Sequence, residues 1–112
     1  MANPEHGKII SSDVNNDHPE YGPTVLFTVY MPHPTVANVE QVSSEIAQNM
    51  SGAHVEMVMV WFAHTKDLDA PADYRVDLIP VHPINKINAV KASDVHNYYT
   101  SGDFYVSNPT AQ

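Results

Sequence analysis

The most apolar run of the chain, residues 53–64, has hydrophobic side chains at both alternating sets of positions. In an ordinary half-exposed strand, one of the two sets is polar. The pattern therefore predicts a central strand that is buried on both faces. A single layer of helices covers only one face of a sheet, so the second face needs either a second sheet or another copy of the chain. The two sets are Val55, Met57, Met59, Trp61 and Ala63, and Glu56, Val58, Val60 and Phe62.

Other strands are predicted before and after this run. Residues 24–31 alternate between two faces and end at Pro32, which cannot donate to a ladder of hydrogen bonds. Residues 74–81 alternate more weakly and predict a third strand, and residues 104–107 predict a last one.

A helix is predicted between the first two strands. Val39, Val42 and Ile46 recur at helical spacing, and Asn38 is the expected N-cap. Gly52 supplies the stop expected just beyond the C-terminus. A weaker helix is predicted from Ser93 towards Gly102.

The chain length predicts one domain with short flanking segments. Residues 1–23 are polar and rich in turn formers, so we expect a mostly irregular N-terminal arm in which residues 8–10 could form a short edge strand. Residues 24–107 form the single α+β domain, and residues 108–112 form a flexible tail.

The order of elements is strand, helix, strand, strand, weaker helix, strand. Two βαβ-like halves in this order predict a ferredoxin-like split βαβ sheet. Helices cover one face of that sheet, so the doubly apolar strand predicts that two copies pair face to face in a dimeric α+β barrel. The alternative is a β-sandwich with one helical excursion, in which the second face is covered within the chain.

Charge and composition exclude several classes of function. The 112 residues include 13 acidic and 5 basic side chains, giving a net charge of −8, and this argues against nucleic-acid binding. No apolar run reaches the roughly 18–20 residues of a membrane span. Without cysteine, disulfides and thiolate metal sites cannot form. No signal peptide is visible at the N-terminus, and we expect a cytoplasmic protein.

The unusual feature of the composition is its seven histidines. In the predicted topology His54 and His82 would be neighbours at one end of the sheet, with Glu56 on the same face as His54. Two histidines and one carboxylate suit zinc or non-haem iron. The alternative is that these are surface histidines at strand ends, and no other cofactor is expected.

Two further hypotheses concern function. The first is a small homo-oligomer, a dimer, whose apolar sheet face is an interface with a binding or structural role. The second is a cofactor-free enzyme of the monooxygenase or isomerase type, with a small apolar substrate in a cleft between sheet and helices. A histidine would carry the proton and aromatic side chains would form the walls. The residues predicted for this role are His64, His96, Tyr30 and Trp61. Motifs for nucleophile elbows, phosphate loops and zinc proteases are absent from the sequence.

Overall fold

The computed structural model describes residues 7–112, in which one α-helix packs on one face of a seven-stranded, mostly antiparallel sheet. The α+β class predicted from the sequence is therefore confirmed. The helix α1 spans Val36–Asn49. The first six residues of the expected N-terminal arm lie outside the described residues. The strands are β1 (Lys8–Asn15), β2 (Thr24–Tyr30), β3 (Met57–Ala63), β4 (Tyr74–Pro80), β5 (Tyr98–Ser101), β6 (Phe104–Ser107) and β7 (Thr110–Ala111).

The strand order is β1-β2-β3-β4-β6-β5, with β7 added to β4. Strands β2 and β3 are parallel and hydrogen-bond directly to each other, with Val25 opposite Val58, and every other pair is antiparallel. The split arrangement predicted from the sequence, with the third strand between the first two, is wrong. The reason is that α1 returns the chain to the position beside β2, and β4 then pairs with the remaining edge of β3.

The prediction of a weaker second helix is also wrong. Only a single 3-10 turn, Val95–Asn97, forms there, and the following residues belong to strand β5. The sequence Tyr98-Tyr99-Thr100 favours a strand, and antiparallel pairing with β6 satisfies its backbone. Gly102, expected to end a helix, instead lies in the turn between β5 and β6 with a φ of +56°.

Several boundaries differ from those expected. Strand β1 extends over eight residues of the arm, and an irregularity between Ile9 and Ser11 breaks its side-chain alternation. Helix α1 starts earlier than Asn38, because Thr35 Oγ1 accepts a hydrogen bond of 3.2 Å from the Asn38 backbone N–H and caps the helix. Residues 110–111 of the expected tail pair with the start of β4.

The hydrophobic core lies between α1 and the sheet. Val58, Val60 and Phe62 of β3 are fully buried there, against Val39 and Ala47 of α1 and their neighbours. The chain's own helix therefore covers one of the two apolar sets of the central strand. In the other set Ala63 is buried, whereas Met57 and Met59 are only half-buried and Trp61 is 38% exposed.

Strand β5 is tied to α1 by polar contacts. The Tyr99 hydroxyl donates a hydrogen bond of 3.2 Å to the Glu40 carbonyl, and the Ser101 hydroxyl donates one of 3.0 Å to the Ser44 carbonyl. Burial raises the pKa of Tyr99 to about 12, with a smaller contribution from the Glu40 carboxylate. These bonds position the last hairpin against the middle of the helix.

Within residues 7–112, no helix has the length and apolar character needed to cross a membrane.

Truncating the central core side chain tests this packing. Phe62→Ala should reduce the free energy of unfolding by about 3–5 kcal/mol, because it removes buried apolar area and leaves a cavity under α1. Urea unfolding measures the change. The control is Leu68→Ala, at a side chain 59% exposed in the β3–β4 loop, where the change should stay within about 0.5 kcal/mol. Equal effects of the two substitutions would contradict the assignment of the core.

Alkaline titration tests the environment of Tyr99. The ordinary pKa of tyrosine is 10.0 and that of Tyr99 in the folded protein is about 12. The stabilising contribution of the neutral hydroxyl should therefore be complete below pH 10 and be lost as the pH rises from 10 to about 12. Ultraviolet absorbance of tyrosinate in the wild-type protein, minus that of Tyr99→Phe, should isolate this late titration. A difference curve centred at the ordinary pKa would contradict it.

Candidate functional site

Within residues 7–112, no helix lies on one face of the sheet, and we call this face the open face. Cross-strand registers align its side chains in rows: Thr28, Trp61 and Arg75 form one row, and Leu26, Met59 and Asp77 form the next. Apart from the small and buried Ala63, the apolar and aromatic side chains of the open face are half-buried or, for Trp61, exposed. They are Leu26, Tyr30, Met57, Met59, Trp61, Ile79, Tyr98 and Tyr105.

The open face also carries a neutralised pair of charges near its centre. Arg75 Nε donates to Asp77 Oδ1 at 3.0 Å, and the guanidinium Nη2 lies 3.5 Å from Met59 Sδ. The pair is only partly exposed, at 39% for the Arg75 side chain and 27% for the Asp77 side chain. Because the two charges cancel locally, this part of the face is close to neutral despite the acidity of the whole chain.

A small pocket of about 140 Å³ lies at one corner of the open face. Trp61 and Leu26 form part of it, and Leu68 of the β3–β4 loop and Asp13 of β1 form its walls. The loop is held by Asp73 Oδ2, which accepts a hydrogen bond of 2.8 Å from the His64 backbone N–H and lies 2.7 Å from His64 Nδ1.

The four predicted catalytic residues do not surround one cavity. Trp61 and Tyr30 share the open face, with Lys66 Nζ 5.2 Å from the centre of the Tyr30 ring. His64 follows the end of β3, and His96 is exposed in the 3-10 turn before β5. The space between α1 and the sheet, where a substrate cleft was expected, is filled by buried core side chains.

A larger pocket, of about 280 Å³, lies at the opposite end of the sheet from the β3–β4 loop, and we call it the His54–His82 pocket. It opens between the residues that follow α1, the end of β4 and the turn before β6. The two histidines predicted to be neighbours both line it. The other lining residues are Gly52, Ala53, Val55, Pro80, Ile84, Asp103 and Phe104.

Glu56, the third predicted metal ligand, is engaged elsewhere. Its Oε1 accepts hydrogen bonds from Asn85 Nδ2 at 2.6 Å and from Asn88 Nδ2 at 2.8 Å, and Oε2 accepts a bond of 3.3 Å from Thr24 Oγ1. In the described part of the chain, no group of three or more His, Cys, Asp or Glu side chains is placed to hold a metal ion. The zinc or iron site therefore stays a prediction from the sequence.

Asp103 also lines the pocket, and the sequence did not predict it there. Its Oδ2 accepts a hydrogen bond of 2.9 Å from the Gly52 backbone N–H, and its own N–H donates to Ser51 Oγ at 3.0 Å. These bonds attach the β5–β6 turn to the segment that follows α1. The residues are about fifty positions apart, and no local pattern marks an aspartate in a hairpin turn as the partner of a helix end.

Close backbone contacts also shape the pocket. Gly22 has a φ of +82°, and a Cβ atom there would lie 2.6 Å from the His54 carbonyl oxygen and 2.8 Å from His54 Cδ2. Gly102 is packed as tightly against α1, where a Cβ would lie 2.9 Å from the Ala47 carbonyl oxygen and would collide with Ser51 Oγ. The walls of the pocket are thus held by backbone packing as well as by hydrogen bonds.

No protein family, curated protein or solved structure matches the chain. The function must therefore be argued from the two surfaces themselves.

Two glycine substitutions test the wall of the pocket. Gly52 and Gly102 both have positive φ, so alanine at either position should cost about 1–2 kcal/mol of backbone strain. Gly52 has open space around its Cβ position, whereas Gly102 does not. Gly102→Ala should therefore reduce the free energy of unfolding by a further 1–3 kcal/mol or so relative to Gly52→Ala. Chemical denaturation of both variants measures the difference, and equal losses would contradict the close packing of the turn on α1.

Proposed function

We propose that the protein is a homodimer whose two copies pack their open faces against each other, with a binding or structural role. The observation that supports the proposal is the group of apolar side chains around β3 on a sheet face that no part of the described chain covers, apart from the corner under the β3–β4 loop. Two sheets facing each other, each with a helix on its outer side, would form the dimeric α+β barrel expected from the sequence.

The composition of the open face favours a protein partner over water. Exposed aromatic and methionine side chains are enriched in interface centres, where lysine and glutamate are depleted. The open face has this composition around Met59, with Met57, Trp61 and Tyr105 nearby. A solvated sheet face would carry polar residues throughout, whereas here polar residues such as Thr28, Arg75 and Asp77 flank an apolar centre.

Charge does not oppose a second copy of the same chain at the centre of the open face. Two molecules with a net charge of −8 repel each other unless the surfaces that meet are neutral. At the centre of the open face Arg75 and Asp77 neutralise each other, so two copies could meet there without joining like charges. A two-fold axis through the face would also allow Arg75 of each copy to approach Asp77 of the other.

The sheet edges are weaker candidates for association. Strand β1 is irregular between Ile9 and Ser11 and carries Lys8 and Asp13, features that discourage edge-to-edge pairing. The opposite edge is β5, which has only four residues. Face-to-face contact therefore offers the longer continuous apolar surface.

The size of the open face predicts a weak dimer. Strands β2, β3 and β4 have seven residues each, whereas β5 and β6 have four, so a face six strands wide is at most about 23 Å by about 24 Å, or about 550 Å² in projection. A standard interface buries about 800 Å² on each partner. The rough side-chain surface adds area, so a dissociation constant of about 1–100 μM is expected.

No observation favours the enzyme hypothesis to the same degree. Its cleft is filled by the core, and its four residues are dispersed over the molecule. A cofactor-free activity thus stays a prediction of the sequence.

Sedimentation velocity tests the dimer directly. As the protein concentration rises through the micromolar range, the apparent mass should increase from 12.4 kDa towards twice that value. Emission of Trp61, the chain's single tryptophan, should shift to shorter wavelength over the same range because the indole leaves water.

Met59→Glu should abolish the association, because a second carboxylate beside the Arg75–Asp77 pair gives the centre of the open face a net negative charge, which the two copies would bring together. The matched control is Ile87→Glu, which makes the same kind of change at a side chain 87% exposed outside the sheet. The control should dimerise like the wild-type protein. A wild-type chain that stays monomeric at about 500 μM, well above the expected dissociation constant, would overturn the proposal.

A further inference from the structure

We propose that the His54–His82 pocket binds a small amine, in which one ammonium group is attached to an apolar body of about ten non-hydrogen atoms. This site lies away from the open face, and its ligand does not depend on whether the protein dimerises. Its volume of about 280 Å³ is the largest of the cavities described above.

The size of the pocket limits the ligand. A cavity of 280 Å³ has the volume that about nine water molecules occupy in the liquid. It is near the lower end of the range for ligand sites, about 300–1,000 Å³. A nucleotide or a fatty acid would exceed it. A single aromatic ring or a short branched chain with one polar group would fill it.

The floor of the pocket is apolar. Val55 is 4% exposed and Phe104 is 1% exposed, and both belong to the packed core as well as to the lining. Pro80 and Ile84 continue this surface to the mouth. Such a floor binds the hydrocarbon part of a ligand through the area removed from water.

The rim of the pocket favours a positive charge. Asp103 contributes a carboxylate, and among the described residues that line the pocket there is no lysine or arginine to balance it. His54 and His82 add ring nitrogens, which in the neutral imidazole include one acceptor each. The residues that follow the C-terminus of α1 form one wall, and this end of a helix carries partial negative charge.

An anion is disfavoured by the same lining, since it would meet Asp103 and the helix C-terminus. A metal ion is disfavoured because His54, His82 and Asp103, although all three line the pocket, do not form a group placed to hold one, and no such group exists among the described residues. An ammonium group needs only the Asp103 carboxylate as its charged partner, and its charge is attracted by the net charge of −8.

The pocket is held open before any ligand arrives, and this supports binding. Asp103 is oriented by the Gly52 N–H at 2.9 Å, so its carboxylate need not be ordered by the ligand. On the opposite side Glu56 accepts hydrogen bonds from Asn85 and Asn88, which hold the loop that carries Ile84. Walls ordered in advance reduce the entropy that binding costs.

The test is a set of three matched probes titrated into ¹⁵N-labelled protein: phenethylammonium, phenethyl alcohol and 3-phenylpropionate. Phenethylammonium should shift the backbone amides of Gly52, Val55, Ile84 and Asp103 in a saturable way. It should bind about tenfold more tightly than the alcohol, because a charged hydrogen bond replaces a neutral one, and the carboxylate should bind weakest. Equal affinity of amine and alcohol, preference for the carboxylate, or shifts that map to other residues would each overturn the proposal.

Asp103→Asn removes the charge but keeps an oxygen that can accept a hydrogen bond from the Gly52 N–H. It should therefore weaken the binding of phenethylammonium about tenfold and leave the binding of phenethyl alcohol unchanged. Asp94→Asn, outside the pocket lining, is the matched control and should bind like the wild-type protein. If Asp103→Asn perturbs the fold, Ile84→Trp provides a steric test, because the larger ring fills the pocket and should abolish binding of both probes. Its control is Ile87→Trp, at an exposed side chain outside the lining, which should bind normally.

Sedimentation of the same samples separates this proposal from the dimer. Saturable amine binding in a monomer would leave the pocket intact and remove the dimer. A dimer with no saturable shift in any of the lining amides up to about 20 mM phenethylammonium would support the dimer and overturn the amine site.

Discussion

The part of the chain that the structure describes has one α-helix, and one helix can bury only one face of a six-strand-wide sheet. The uncovered apolar side chains on the open face follow from this constraint. Strand β3 is apolar on both faces, and α1 covers Val58, Val60 and Phe62 completely. The alternate side chains Met57, Met59 and Trp61 remain partly in contact with water. The protein thus leaves hydrophobic area at the centre of its sheet, where a soluble monomer would ordinarily carry polar residues.

The polar side chains act mainly at the ends of the sheet, where they attach loops to elements distant in sequence. Asp73 holds the start of the β3–β4 loop, Asp103 holds the β5–β6 turn against the end of α1, and Glu56 holds the loop after β4. The His54–His82 pocket is a product of two of these attachments, which separate the loop after β4 from the turn before β6. Its lining is consequently polar at the rim and apolar at the floor.

The element boundaries predicted from the sequence agree best with the structure where the pattern of hydrophobic and turn-forming residues lies within one short segment. Strand β6 has the bounds expected from residues 104–107, and β2 and β4 end one residue earlier than expected. Agreement was poorest where the signal depends on a distant partner. Strand β1 is interrupted by an irregularity that hides its alternation, and its pairing with β2 supplies the hydrogen bonds that make it a strand. Tyr98 and its neighbours have helical capping signals just before them, but pairing with β6 decides that they form β5.

For the candidate sites, the sequence predicts that His54 and His82 lie at the same end of the sheet, because a strand start and the end of the adjacent antiparallel strand meet there, and both residues line one pocket. It also determined the apolar content of β3, since alternation is a property of consecutive residues. Only the tertiary structure decided that β2 and β3 are direct neighbours, that Asp103 rather than Glu56 joins the histidines, and that Trp61 faces away from the helix. These outcomes depend on which strand edges and loop ends come together, and that choice minimises unpaired backbone and exposed apolar area over the whole chain rather than within any one segment.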